Sequence, residues 1–546
     1  MQAIERGDSA AALAALEKFT RQNPNSAKGH SSLGWVLLAL GKHDEAIKEF
    51  HTTLKLAPTL PQAHMFLASA LVAKGDREGA IREARAEIKL SPKNAEAHRT
   101  LARILSLQPD HEEAVTELRK AIELAPTRAD LHDDLGTLFA HDGKLDDAAA
   151  QYSEALKLQP ALSSAVFHLG VVRWQQHMVD QAEELLRRAV EVSPSNASAH
   201  DYLSRVLAEK GDSDGALKEL QAAASLQPQL ADVQTRLGLM LQRKGDAVGA
   251  VVAFRKAVGL QPENADAHNN LGLALIQSGD APGSIAEFEA AVRLKPEDTD
   301  YRGNLGIGYM QKADFDSAVR EFQTAIQATP DSATLHYNLG LALKLKDQLP
   351  EAIAEFRKAG ELDPSQPDMR YTLGVTLWQK GEFDGAVEAL QAAIKIRPDY
   401  AEAFYTLGTV LKQQNKFPEA AAALREAIRL QPEFPGAHTT LAGVLRQLGD
   451  SDGAAKEAKL GAEITKSANA QQAATFATNS GRRLLEAGDL DGAISQFRVA
   501  IQQVSTHAPA HFYLAQALQR KGLTTEAGYE FQKAAELDPS LKSPQH

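Results

Sequence analysis

Histidine is the most chemically versatile side chain in this sequence, and it recurs at regular places: His30, His64, His98, His132, His200, His268, His336, His438 and, out of step, His511. Imidazole is the commonest metal ligand. A zinc site, however, needs three or four donors converging on one point, and a ladder of single histidines offers pairs at best. We read these residues as structural packing and expect no metal. The stretch "LHDDLGTLFAHDG" sets Asp134 and His141 on one helical face, with His168 thirty-four residues after Asp134. No nucleophile or third orienting group accompanies them, so a local ion pair is expected rather than catalysis. The two "GDSDGA" turns, beginning at Gly211 and Gly449, lack the twelve-residue ligand spacing of a calcium loop. There are no cysteines, which removes thiolate nucleophiles, thiolate metal sites and disulfides. No phosphate-cradling glycine loop, His-Glu metal helix or nucleophile elbow is present. The expectation is a chain with no catalytic residues and no cofactor.

What positions these residues is a single period. Prolines stand at Pro24, Pro58, Pro92, Pro126, Pro160 and Pro194, then at Pro228, Pro262, Pro296, Pro330, Pro364, Pro398 and Pro432, each thirty-four residues after the last. Leu-Gly or Leu-Ala pairs keep the same register, as at Leu33-Gly34, Leu67-Ala68, Leu271-Gly272 and Leu339-Gly340. So do glycines at Gly41, Gly75, Gly143, Gly211, Gly245, Gly279, Gly381 and Gly449, followed five residues later by alanines such as Ala46 and Ala250. Between these marks apolar residues recur at three- and four-residue spacing, the pattern of helix, turn, helix. Glycine closes the first helix by adopting positive φ. Proline, lacking its N–H, ends the second and starts the next. Glycine inside the first helix costs roughly 1 kcal/mol against alanine, which close approach of the partner helix offsets. The net charge of −12 argues against a nucleic-acid surface. No apolar run approaches the roughly 18 residues of a membrane span, so no membrane insertion is expected.

These features resemble the tetratricopeptide repeat family over nearly the whole chain. The resemblance implies an all-α, right-handed superhelical solenoid whose units bury apolar surface against their neighbours. Full units are predicted from Ala27, Pro61, Ala95, Ala129, Ser163, Ala197, Ala231, Ala265, Thr299, Ala333, Pro367, Ala401 and Pro435, with residues 1–26 as a partial unit. The thirteen-unit array then runs over 27–468. Its last unit has Lys466 where proline is due. Residues 469–473 read as a joint or insertion (a bent or elongated helix, or a hinge), 474–541 as two further units and 542–546 as a tail. A partial first unit is expected where an N-terminus has been trimmed. A cytoplasmic location is the default expectation, and an exported one is the alternative if trimming has removed a signal peptide.

The resemblance also implies that the first helix of each unit lines an inner face. Its fifth, sixth, ninth and thirteenth residues share one side at 3.6 residues per turn. From Ala265 these places read Asn269, Asn270, Leu273, Gln277; then Gly303, Asn304, Ile307, Gln311; then Tyr337, Asn338, Leu341, Leu345. They continue with Tyr371, Thr372, Val375, Gln379 and with Tyr405, Thr406, Thr409, Gln413, and end with Thr439, Thr440, Gly443, Gln447; none is charged. Earlier units carry Arg99, Arg103, Asp133, Asp134, Asp201, Arg205, Glu209, Arg236 and Arg243 instead, with Arg99 and Arg103 expected to pair with Asp133 and Asp134. Amides offer both donors and an acceptor, the complement of a peptide backbone, and tyrosine adds flat contact area. The expected activity is a non-catalytic scaffold holding a protein or peptide ligand in extended form. The ladder Asn270, Asn304, Asn338 is similar to the repeat region of O-linked N-acetylglucosamine transferase, without its catalytic domain. The two-carboxylate clamp of some family members is not expected, because no unit has its Lys and Asn at the fifth and ninth places. Two other readings are a substrate-recruiting partner for an enzyme on a separate chain, such as a glycosyltransferase, and a bacterial envelope or secretion-assembly component.

Overall fold

The computed structural model describes residues 9–541. Among them are thirty helices and no strand, joined as successive antiparallel pairs from Ser9–Gln22 to Thr524–Leu537. By packing they fall into two bodies, Met1–Ser278 and Gly279–His546. Both are all-α solenoid segments built from the same pair of helices. First helices begin at Ala95, Ala129, Ser163, Ala197, Ala231, Ala265, Thr299, Ala333, Pro367, Ala401 and Pro435, where the period places them. One start moves: after Pro61, Gln62 takes a left-handed conformation (φ 66°), and the helix begins at Ala63. The tail 542–546 and the first eight residues lie outside the described residues.

Local chemistry sets the boundaries. Asp212 and Asp450, the acids of the "GDSDGA" turns, are N-caps whose carboxylates accept from the N–H of Gly215 and Gly453. Asp246 caps its helix through Gly249 in the same way. Such a cap satisfies an orphan donor and contributes about 1 kcal/mol. The intervening turn requires positive φ at one residue. Gly245 (80°) and Gly381 (87°) supply it freely, whereas His177, Ala313, Asp347 and Asn415 adopt it at about 60° in units without the glycine.

Packing within each pair turns on one contact. In several pairs the glycine in the middle of the first helix sits against the ring of a buried aromatic on the second; Gly170, Gly374 and Gly408 sit instead against the buried Leu186, Leu390 and Leu424. A Cβ at Gly238 would lie 2.6 Å from Phe254, at Gly306 2.6 Å from Phe322, and at Gly340 2.6 Å from Phe356. At Ala68 and Ala442, which replace the glycine, the facing register place is Ala84 and Ala458, whereas Ala102 stands in register with Leu118. In the last unit, by contrast, Ala515 stands in register with Phe531. Residues 469–473 lie inside one unbroken helix, Ser451–Glu486, 36 residues and about 54 Å long. With Lys466 in place of proline nothing removes an N–H or clashes with the preceding turn, so the second helix of one unit continues as the first helix of the next.

Candidate functional site

The recurrent histidines are bound into the scaffold. In the units of His30, His98, His200, His336 and His438, Nδ1 lies 2.5–2.6 Å from a glutamate nineteen residues on, on the second helix of the same unit (Glu49, Glu117, Glu219, Glu355, Glu457). Nε2 lies 2.9–3.1 Å from the carbonyl oxygen of the period's proline, six residues back. The ring therefore ties the proline turn to the second helix. His511 repeats the arrangement with Glu530 and the carbonyl of Ser505.

In the first body, the charged places of the first helices close on one another across units. Asp134 takes both Arg99 (2.5 Å) and Arg103 (3.1 Å), and Arg99 also reaches Asp130. Asp133 does not join them; it turns to His168, 2.9 Å away, while the ring of His141 lies beside His111. Asp201 holds Arg205 and Arg236, and Glu209 accepts from the indole N–H of Trp174. Of the charged residues named from the sequence, only Arg243 has no such pair among the described residues. Asn269, Asn270, Leu273 and Gln277 lie on the last first helix of this body, Ala265–Gln277, with Gln277 exposed and the other three half-buried. The side-chain amide of Asn270 has no hydrogen-bond partner among the described residues, whereas Asn269 has one.

The second body is different. Its first helices Thr299–Gln311, Ala333–Leu345, Pro367–Lys380 and Ala401–Gln413 lie side by side, each touching the next. Asn304, Ile307, Tyr337, Asn338, Leu341, Tyr371, Thr372 and Tyr405 are half-buried along this strip, and Gln311, Gln379 and Gln413 are exposed. Part of the row is consumed internally. The hydroxyls of Tyr337 and Thr372 are 3.1 Å apart and those of Tyr371 and Thr406 3.4 Å apart, one unit to the next. Thr406 is buried, 4% exposed, and also donates to the carbonyl of Glu402, so it faces no solvent. The ring of Tyr405 lies 4.7 Å from that of Phe434, tilted by 45°. The amide of Asn338, in contrast, has no hydrogen-bond partner among the described residues, while Asn304 has one.

The sequence pattern for tetratricopeptide repeats matches 2–61, 67–129, 134–177, 169–231, 235–299, 304–367, 405–470 and 478–541, and a second TPR repeat pattern matches 376–415. The chain belongs to the tetratricopeptide repeat family. No curated protein matches it. Among solved structures it is similar to YrrB, a TPR protein with an unusual peptide-binding site: 23% identity over 33% of this chain and 92% of that one, TM-score 0.30. A MamA protein is 23% identical over 32% of this chain and 96% of its own (TM-score 0.29), and a second MamA structure 24% identical over 30% and 95% (TM-score 0.28).

The TPR strip also contains residues that the choice of places five, six, nine and thirteen left out. Place twelve carries Lys344, Trp378, Lys412 and Arg446. The indole N–H of Trp378 donates to Gln413 at 2.6 Å, and the Lys412 ammonium lies 3.5 Å from where a Cβ on Gly443 would stand. The face is therefore not wholly neutral. Burial holds the Lys344 ammonium below the usual lysine value. Neither Lys344, Lys412 nor Arg446 has an ion-pair partner among the described residues. Five, nine and twelve follow the i, i+4, i+7 spacing of a helix face, so the sequence carried the signal. Beyond Arg446 an open cleft of about 720 Å³ runs along the long helix, with Thr439, Arg446, Lys466 and Asn469 on its wall.

Proposed function

We propose that this chain is a non-catalytic scaffold that holds an extended, acidic polypeptide along the first helices of 299–447. One observation carries the reading. The charged first-helix places of the first body are almost all paired within the chain, whereas this strip keeps an unpartnered amide, Asn338, and the unpartnered cations Lys344, Lys412 and Arg446. Polar groups that are half desolvated without partners gain most from a ligand that supplies them. Asn338 can donate to and accept from a peptide main chain, Leu341 and Trp378 offer apolar contact, and the cations fit side-chain carboxylates. The partner's chemistry then follows from the strip, in a chain whose net charge is itself −12.

The test is selection from a random peptide display library on the full chain, followed by calorimetry with the enriched peptides. The expected result is enrichment of Asp- and Glu-containing sequences, with affinity reduced at least about tenfold in N338A/K344A/K412A, equivalent to a loss of 1.4 kcal/mol or more. Enrichment of neutral or basic peptides, or unchanged affinity in the triple variant, defeats the reading.

A further inference from the structure

Three departures from the repeat converge at one junction of the first body. At the turn place that is glycine, or a residue with positive φ, in every other unit from 27 to 468, the unit of Ala95 has Pro109. Proline's ring fixes φ near −65°, so the usual turn is unavailable. The helix ends early, at Leu105, and the chain enters the next helix by another path. That path carries His111 inward, 5% exposed, at a place held by Leu145 and Val179 in the following units.

The third departure faces it from the next unit. Elsewhere the residue just before the turn is often a donor that reaches an aspartate of the preceding unit: Lys74 to Asp44 (2.5 Å), Lys210 to Asp180 (2.7 Å), Lys346 to Asp316 (2.5 Å), Gln176 to Asp146 and Gln414 to Asp384. Here that residue is itself a carboxylate, Asp142. It meets His111 Nδ1 at 2.6 Å, and the ring of His141 lies 5.0 Å from that of His111, edge on. One donor atom from each of His111, His141 and Asp142 falls within 4.8 Å of the other two.

We propose that His111, His141 and Asp142 bind a divalent transition metal ion of the zinc class, clamping the second helix of one repeat to the first helix of the next. The donor set, two imidazoles and a carboxylate, suits zinc. Ligand bonds of about 2.0–2.2 Å in a tetrahedron set donors roughly 3.4 Å apart, so small side-chain rotations bring the three to distance. His111 is held by burial, and the exposed His141 and Asp142 have room to turn. Binding replaces the hydrogen bond between His111 and Asp142 by bonds to the metal. Lys144, 3.3 Å from the second Asp142 oxygen, is an exposed side chain that must swing aside. Three protein ligands leave one position for water.

The experiment titrates Zn²⁺ into chelator-stripped full chain against a colorimetric indicator, with H141A and D142K alongside. The D142K change introduces the lysine that the units of Lys74 and Lys210 carry at this place, and both altered residues are on the surface, so circular dichroism is expected to be unchanged. One tight equivalent in the wild type, weakened at least about tenfold in each variant, bears the proposal out. No saturable equivalent, or an equivalent that persists in both variants and so belongs to other histidines of the seventeen, overturns it.

Discussion

The glycine–aromatic contact between Ala333–Leu345 and Leu349–Leu362 makes a quantitative prediction at Gly340. A methyl group there would stand 2.6 Å from Cε1 and 2.7 Å from Cδ1 of Phe356, about 0.8 Å inside ordinary contact at 3.4 Å. Phe356 is fully buried and its ring packs 5.6 Å from that of Tyr337, so it has nowhere to retreat. Overpacking of this kind costs about 1–3 kcal/mol, partly offset by about 1 kcal/mol from replacing a helical glycine. For so close an approach we take the upper end of that range and expect G340A to lose about 2 kcal/mol. The F356A variant alone should lose about 3–5 kcal/mol as a cavity. In the F356A background the clash is gone, so G340A should become stabilising by up to about 1 kcal/mol, a coupling of about 3 kcal/mol. The Ala68/Ala84 and Ala442/Ala458 pairs show that the chain tolerates the double-alanine arrangement. Solenoid stability is local, so the assay is native-state hydrogen exchange of amides in Ala333–Leu345 and Leu349–Leu362 in the full chain. A G340A penalty that is the same with and without the Phe356 ring would refute the reasoning.

Three further outcomes are expected. H336A, which strips Glu355 and the Pro330 carbonyl of their shared partner, should lower protection of the same helices by about 1–3 kcal/mol, measured by hydrogen exchange; an unchanged rate would mean the bridge is decorative. Replacing Asp134 by asparagine leaves Arg99, whose side chain is 12% exposed, and Arg103 short of a counter-charge, and should cost roughly 1–3 kcal/mol, between the exposed and the fully buried cases; D134N unfolding at the wild-type urea concentration would contradict the pairing. The hydrogen bond from Arg128 holds the Asp130 carboxyl below its ordinary value of 3.8, and that from Tyr400, helped by Arg397, does the same for Asp368. A depressed folded value means stability that is complete above the unfolded value and lost as pH falls through the folded one, so urea midpoints should be flat with respect to these groups above about pH 5 and drop below about pH 4, less so in D130N/D368N.

Much of the architecture was legible because it is periodic. Thirteen prolines in step fix where second helices stop, and the starts at Ala129, Ala265 and Ala401 follow directly. The exceptions are places where one residue breaks the step: Pro61 with left-handed Gln62, and Lys466, whose missing proline fuses two helices into one. The functional face was legible in outline. Helical spacing placed Asn338, Leu341 and Gln413 together, but the first choice of places omitted the twelfth and with it Lys344, Trp378 and Lys412. Thr406 was read as available because no sequence rule shows that Tyr371 of the previous unit reaches it. The histidine bridges could have been read, since glutamate recurs nineteen residues after His30, His98, His200, His336 and His438. The His111 cluster was not read, because no residue spacing shows that His111 meets Asp142 and His141 of the next unit.

The most direct test of the central claim is a photo-crosslinking map with the acidic peptides that selection yields. A photoreactive residue is placed at Leu341, on the strip, and at Phe476, the 70%-exposed aromatic on the long helix, in otherwise identical full chains. Crosslinks at Leu341 that vanish in N338A/K344A/K412A, with none at Phe476, are the expected result. Crosslinking at Phe476 with Leu341 silent would contradict it.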